Sequence, residues 1–120
     1  MMPIGPATRI YLAAGATDLR QSYEGLSDQV RHRFQEDPLS GHLFVFANRP
    51  RTRIKVLYWD GSGTWVCAKR LAKGCFSRPK PAENETETGA LRVLAEELTL
   101  LLSGIDWEKT RTREWWRRAA

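Results

Sequence analysis

Cysteine, histidine and clustered acid are all in short supply in this chain, and each shortage excludes a class of function. The two cysteines, Cys67 and Cys75, have no neighbouring histidine or cysteine to complete a metal site. In a reducing compartment they are free thiols, one or both packed into the core. His32 and His42 have no Cys or Asp at ligand or triad spacing, and a lone histidine is more often structural than catalytic. DNA cleavage through two metal ions needs carboxylates that converge on one site. Here Asp18, Asp60 and the Glu83 to Glu87 cluster fall in separate parts of the chain. Gly61-Ser62-Gly63 lacks the lysine and following helix of a phosphate-binding loop. The sequence therefore offers no catalytic residue, no cofactor site and no metal site. No apolar run approaches the length of a membrane span. The opening MMPIGPATRI lacks the apolar core of a secretion signal, so a cytoplasmic protein with no membrane partner is expected.

What is present is globular. With 120 residues, 42% of them hydrophobic, and five tryptophans, the chain has the size and composition of one folded domain. Its net charge of +5 and pI near 9.6 make nucleic acid a candidate partner.

The organising stretch is Gly41 to Phe76. Leu43 to Phe46 is a short apolar run, and Asn48-Arg49-Pro50-Arg51 breaks it with turn chemistry. Arg53 to Trp59 alternates, with Ile54, Val56 and Tyr58 on one face and Lys55 on the other, which predicts a half-buried strand. Asp60-Gly61-Ser62-Gly63 reads as a hairpin turn in which Asp60 bonds its own turn backbone. Trp65 to Leu71 reads as a third strand, and Lys73-Gly74 opens a further turn. Strands joined by such short connections pair antiparallel.

Around this meander, Arg9 to Ala13 is a strand candidate. Asp18 and Gln21 are placed to form a capping box for a helix reaching Phe34. Leu19, Tyr23, Leu26, Val30 and Phe34 share its apolar face, Arg20, Glu24, Asp28 and Arg31 its outer side, and Pro38 ends it. Residues 79–89 read as an exposed polar loop, Ala90 to Leu94 as a last strand, and Glu96 to Ser103 as a short helix with Leu98, Leu101 and Leu102 inward and Gly104 as its stop. The expected fold class is α+β: an antiparallel β-meander, an N-terminal amphipathic helix packed on its alternating face, and a short C-terminal helix. One domain spans 1–107. The remainder, 108–120, is a basic tail in which Trp115 and Trp116 sit among arginines, suited to phosphate and base contacts or to a frayed terminus packed on the domain.

The segments LAAGATDLRQSYEGL, GHLFVFANR, RIKVLYWDGSG, AKRLAKGCF and LLSGIDW together closely resemble the accessory protein of IS-66-type bacterial insertion sequences. That family is often called TnpB, and it is unrelated to the RNA-guided nuclease of the same name. The resemblance runs from about Ile10 to Trp107. It implies a protein that accompanies a separate transposase and other products of the same element. Relatives usually carry threonine or serine where Ala95 stands, so the last helix is expected to lack a side-chain cap worth about 1 kcal/mol.

From Leu43 to Lys80 the cations are Arg49, Arg51, Arg53, Lys55, Lys69, Arg70, Lys73, Arg78 and Lys80, and the only acid is Asp60. Solvated sheet faces usually mix signs, because like charges across a ladder repel. One reading is a solvated basic face. The other is a weakly specific DNA-binding surface carried by Arg49, Arg51, Arg53, Lys55, Lys69, Arg70 and Lys73, with Trp59 or Trp65 stacking on a base. A docking module for the transposase is the alternative function.

Overall fold

The computed structural model describes residues 5–76 and 90–103. Five strands form one sheet: β1 (Ile10–Ala13), β2 (Leu43–Ala47), β3 (Arg53–Trp59), β4 (Thr64–Arg70) and β5 (Ala90–Val93). Helix α1 (Tyr23–Gln29) continues into a π-helical turn over Val30–Phe34, and α2 (Ala95–Leu102) ends the described chain.

The strand order is β4-β3-β2-β1-β5. β2, β3 and β4 pair antiparallel in sequence order. The sheet as a whole is mixed, not antiparallel, because β1 lies parallel to β2, with Ile10 opposite Leu43, and antiparallel to β5. A parallel pair needs a long crossover, and α1 with its flanking loops supplies it between β1 and β2. Both of these inner strands are apolar along their length, IYLA and LFVFA, as expected for strands covered on both faces.

The two faces bury different clusters. On one, Leu26, Val30 and Phe34 pack on Tyr11, Ala13, Phe44, Phe46, Leu57 and Ala90. Tyr11 stacks on Phe44 with ring centroids 5.5 Å apart, and Phe34 leans on Phe46 at 5.5 Å. On the other, Leu98 and Leu101 of α2 and the buried Phe76 cover Ile10, Leu12, Leu43, Val45, Ile54, Val56 and Tyr58. The alternating face of β3 therefore meets α2, while α1 meets Leu57. That corrects the expected match between the first helix and Ile54, Val56 and Tyr58. Periodicity identifies a shared face but not what lies against it.

The first helix is also shorter than its sequence suggests. It begins after Ser22, and Tyr23 is exposed instead of joining the apolar face. Asp18 does not cap it: its carboxylate accepts from the backbone N–H of Arg20 at 3.0 Å and from the Arg20 guanidinium at 2.9 and 3.0 Å. The Gln21 amide donates to the Asp18 carbonyl at 3.1 Å. The segment ends at Gln35, whose φ of 54° is left-handed, before Pro38 is reached. At α2, the Glu97 carboxylate accepts from the Leu94 N–H at 2.8 Å, so a side chain at position N3 supplies part of the missing cap. The expected loop over 79–89, the stop at Gly104 and the tail lie outside the described residues.

Candidate nucleic-acid interface

One side chain shapes the basic end of the sheet. The Asn48 Oδ1 accepts from the N–H groups of Thr52 at 2.9 Å and Arg53 at 3.1 Å, and its amide donates to the Thr52 hydroxyl at 3.2 Å. Asn48 thus closes the β2–β3 turn with a side chain doing a backbone's work. Arg49, Pro50 and Arg51 are pushed outward, all exposed. Arg51 sits at φ 57°, a left-handed conformation that an L side chain disfavours by about 1–2 kcal/mol. Its N–H donates to the Asn48 carbonyl and its carbonyl accepts from the Phe76 N–H, while Leu71 N–H donates to the Thr52 carbonyl. Those bonds draw residues 71–76, and with them Lys73, onto the same end.

Arg53 and Arg70 stand directly opposite each other on β3 and β4. Like charges in such a pair repel, and both guanidinium groups are exposed. The ion pairs among the described residues, Arg20–Asp18 and Arg31–Asp28, involve none of the hairpin cations. The turn of 48–52, the 71–75 segment and the Arg53–Arg70 rung therefore gather five exposed cations, Arg49, Arg51, Arg53, Arg70 and Lys73, at one end.

The other two of the seven cations are placed differently. The half-buried Lys55 donates its ammonium to the Leu19 carbonyl at 2.6 Å and reaches the Gln21 carbonyl at 3.5 Å, tying the loop before α1 to the sheet. Lys69 donates to the Leu102 carbonyl at 2.7 Å, where the negative end of α2 favours a cation. Register puts Lys69 with Ile54 on the α2 face and Arg70 with Arg53 on the α1 face. Beside that α1 face runs an open groove of about 800 Å³ whose charged lining is Arg20, Arg49, Arg53, Lys55, Lys69 and Arg70 together with one acid, Asp18. Arg20 was not legible as part of this site. It reads as an outer helical residue, and only the fold of the loop before Ser22 brings it to the groove.

The tryptophans are at the opposite end. Trp59 and Trp65 flank the 60–63 turn, and by strand rise roughly 15–20 Å separate them from the Arg53–Arg70 rung. They do not share a site with the hairpin cations. The Asp60 carboxylate accepts from the N–H groups of Ser62 (2.8 Å) and Gly63 (2.9 Å), the Ser62 hydroxyl (3.0 Å) and the Trp65 indole (2.7 Å). These donors hold its pKa down at about 2, the Ser62 N–H contributing most. Asp60 is thus engaged with its own turn, as its place before a glycine suggests. Among the described residues no three His, Cys, Asp or Glu side chains gather as a metal site.

The family model described as IS66 Orf2 like protein matches residues 8–112 of the chain. The uncharacterized protein y4hO of Sinorhizobium fredii is 38% identical over 117 residues, covering 98% of this chain and 96% of that protein. The uncharacterized protein y4jC of the same organism is 35% identical over 112 residues, covering 92% of each chain. No solved structure matches.

Proposed function

This chain belongs to the IS66 Orf2-like family, and on that premise we propose that it is a non-catalytic accessory protein of transposition whose basic hairpin end holds DNA. The observation that carries the reading is the gathering of Arg49, Arg51, Arg53, Arg70 and Lys73 at one end of the sheet, exposed and, among the described residues, without an acidic partner. Cations on a turn and a strand rung suit phosphate oxygens, which position a duplex without reading its sequence. Exposed, unpaired guanidinium groups are not fixed for groove readout, so binding is weak and weakly specific. Lys55 and Lys69 support it from behind, by fixing the groove wall and α2. The protein acts in the cytoplasm beside the transposase of its element and the other element-encoded proteins.

Anisotropy of a labelled duplex, titrated at several salt concentrations, tests this. Four phosphate contacts give a slope of about −3.6 in log affinity against log salt, so a fourfold rise in salt lowers affinity on the order of a hundredfold. Replacing Arg49, Arg51, Arg53 and Arg70 with alanine should weaken binding to every sequence alike and flatten that slope by about 3 to 4. A folded quadruple variant that binds unchanged would refute the reading and favour transposase docking. The second reading rests on the exposed Trp65, at 57%.

A further inference from the structure

Among the described residues the outer edge of β4 is open, and its sequence is complementary to itself. β4 is the terminal strand of the sheet, seven residues long, TWVCAKR, with no proline and mostly exposed. Among the described residues nothing pairs with its outer side. Native edges are blunted by brevity, bulges or covering elements, because an unpaired row of N–H and C=O groups is a template for another strand. The opposite edge, β5, is blunted in this way: it has four residues and runs directly into α2.

The register identifies which groups are free. Leu71 N–H donates to Thr52 and Asp60 N–H to Gly63, so the hydrogen-bonded rungs are those of matching parity, 54/69, 56/67 and 58/65. The backbone groups of Thr64, Val66, Ala68 and Arg70 consequently point away from the sheet.

We propose that this edge pairs antiparallel with β4 of a second copy, on a twofold axis at Cys67, to make a continuous ten-stranded sheet. Cys67 is the midpoint of Thr64–Arg70, so this register alone pairs all seven residues. It sets Val66 against Ala68 of the partner in hydrogen-bonded rungs. Trp65 falls opposite Lys69 and Thr64 opposite Arg70, so no cation faces its own symmetry mate. Moving the axis two residues along, to Lys69, would put Lys69 opposite Lys69, where like charges repel. Trp65 is the anchor: it is exposed, yet its indole is already held by Asp60 at 2.7 Å, so little freedom remains to be lost on docking. One strand pair is a small interface, which points to a dimer of micromolar strength or weaker. The two Cys67 residues would form a rung without hydrogen bonds, where Cα atoms approach to about 4.5 Å, within reach of a disulfide.

That last feature gives a sharp test on the full-length protein. Sedimentation should show mass rising from monomer towards dimer between about 1 and 100 μM, undiminished at high salt because the contact is not phosphate-driven. With diamide present, two Cys67 thiols should lose two electrons and two protons, forming one S–S bond while the N=N of diamide becomes a hydrazine. The cross-linked dimer should form in Cys75→Ser and be absent in Cys67→Ser. Ala68→Pro deletes an outward N–H without touching the β3 ladder and should leave a folded monomer by circular dichroism. A wild-type protein that stays monomeric, or cross-links only through Cys75, overturns the proposal. So does a dimer that neither Cys67→Ser nor Ala68→Pro affects in these assays. DNA binding is measured separately, so either idea can fail alone.

Discussion

Replacing Arg51 with glycine should stabilise the protein and weaken its grip on DNA. The position has φ 57°, and its backbone N–H and C=O are both hydrogen-bonded, to Asn48 and Phe76, in a way that glycine preserves. Relief of the left-handed conformation is worth about 1–2 kcal/mol. Glycine gives back about 0.5–1 kcal/mol through the greater freedom of the unfolded chain. The net gain lies between about 0 and 1.5 kcal/mol and centres near 0.75, or roughly 2–5 °C in Tm for a domain of this size. Urea unfolding at unchanged m-value measures it. The same variant removes one cation from the hairpin, so the salt slope of duplex binding should fall by about 0.9. Gln35 is the internal control: its φ is 54°, at the end of the first helix, and it lies outside the cation cluster. Gln35→Gly should stabilise by a similar amount and leave DNA binding unchanged. Strain kept at a residue whose side chain serves another purpose is the expected pattern at a working surface. If Arg51→Gly destabilises the fold by 1 kcal/mol or more, its side chain makes contacts that outweigh the strain, and the argument fails.

Asp60→Asn should loosen the β3–β4 turn, seen as a red-shifted Trp65 emission and a lower urea midpoint at pH 7. The wild-type carboxyl is held down from 3.8 to about 2, so its contribution is complete above pH 4 and lost as pH falls through about 2. The gap between wild type and variant should therefore close across that window, and a gap that stayed constant would contradict the assignment. Lys55→Met keeps the aliphatic stem but removes the donor to the Leu19 carbonyl, and should destabilise by about 1.5–3 kcal/mol in urea unfolding. A change under 0.5 kcal/mol would mean that the loop before α1 is held by packing alone.

Much of the architecture follows from short-range pattern. The Asn48 and Asp60 turns, with alternation in between, are enough to require β2, β3 and β4 to fold back on one another, because turns of this length leave no other partner in reach. The scarcity of acid from Leu43 to Phe76 is likewise a property of the sequence, and it alone makes the hairpin end basic. Tertiary structure decided the rest. Nothing in IYLA states that β1 inserts parallel beside β2 and carries β5 on its far side. The sheet reaches that order because two wholly apolar strands can be covered only at its interior. The helix starts at Tyr23 instead of Asp18 in a loop whose carbonyls are bound by Lys55, 36 residues away from Leu19. Lys69 meets α2 across 33 residues. Hydrogen bonds over such separations leave no local periodicity. Seven cations that look equivalent in the chain therefore divide into five that face solvent at the hairpin end and two whose ammonium groups brace the fold behind them.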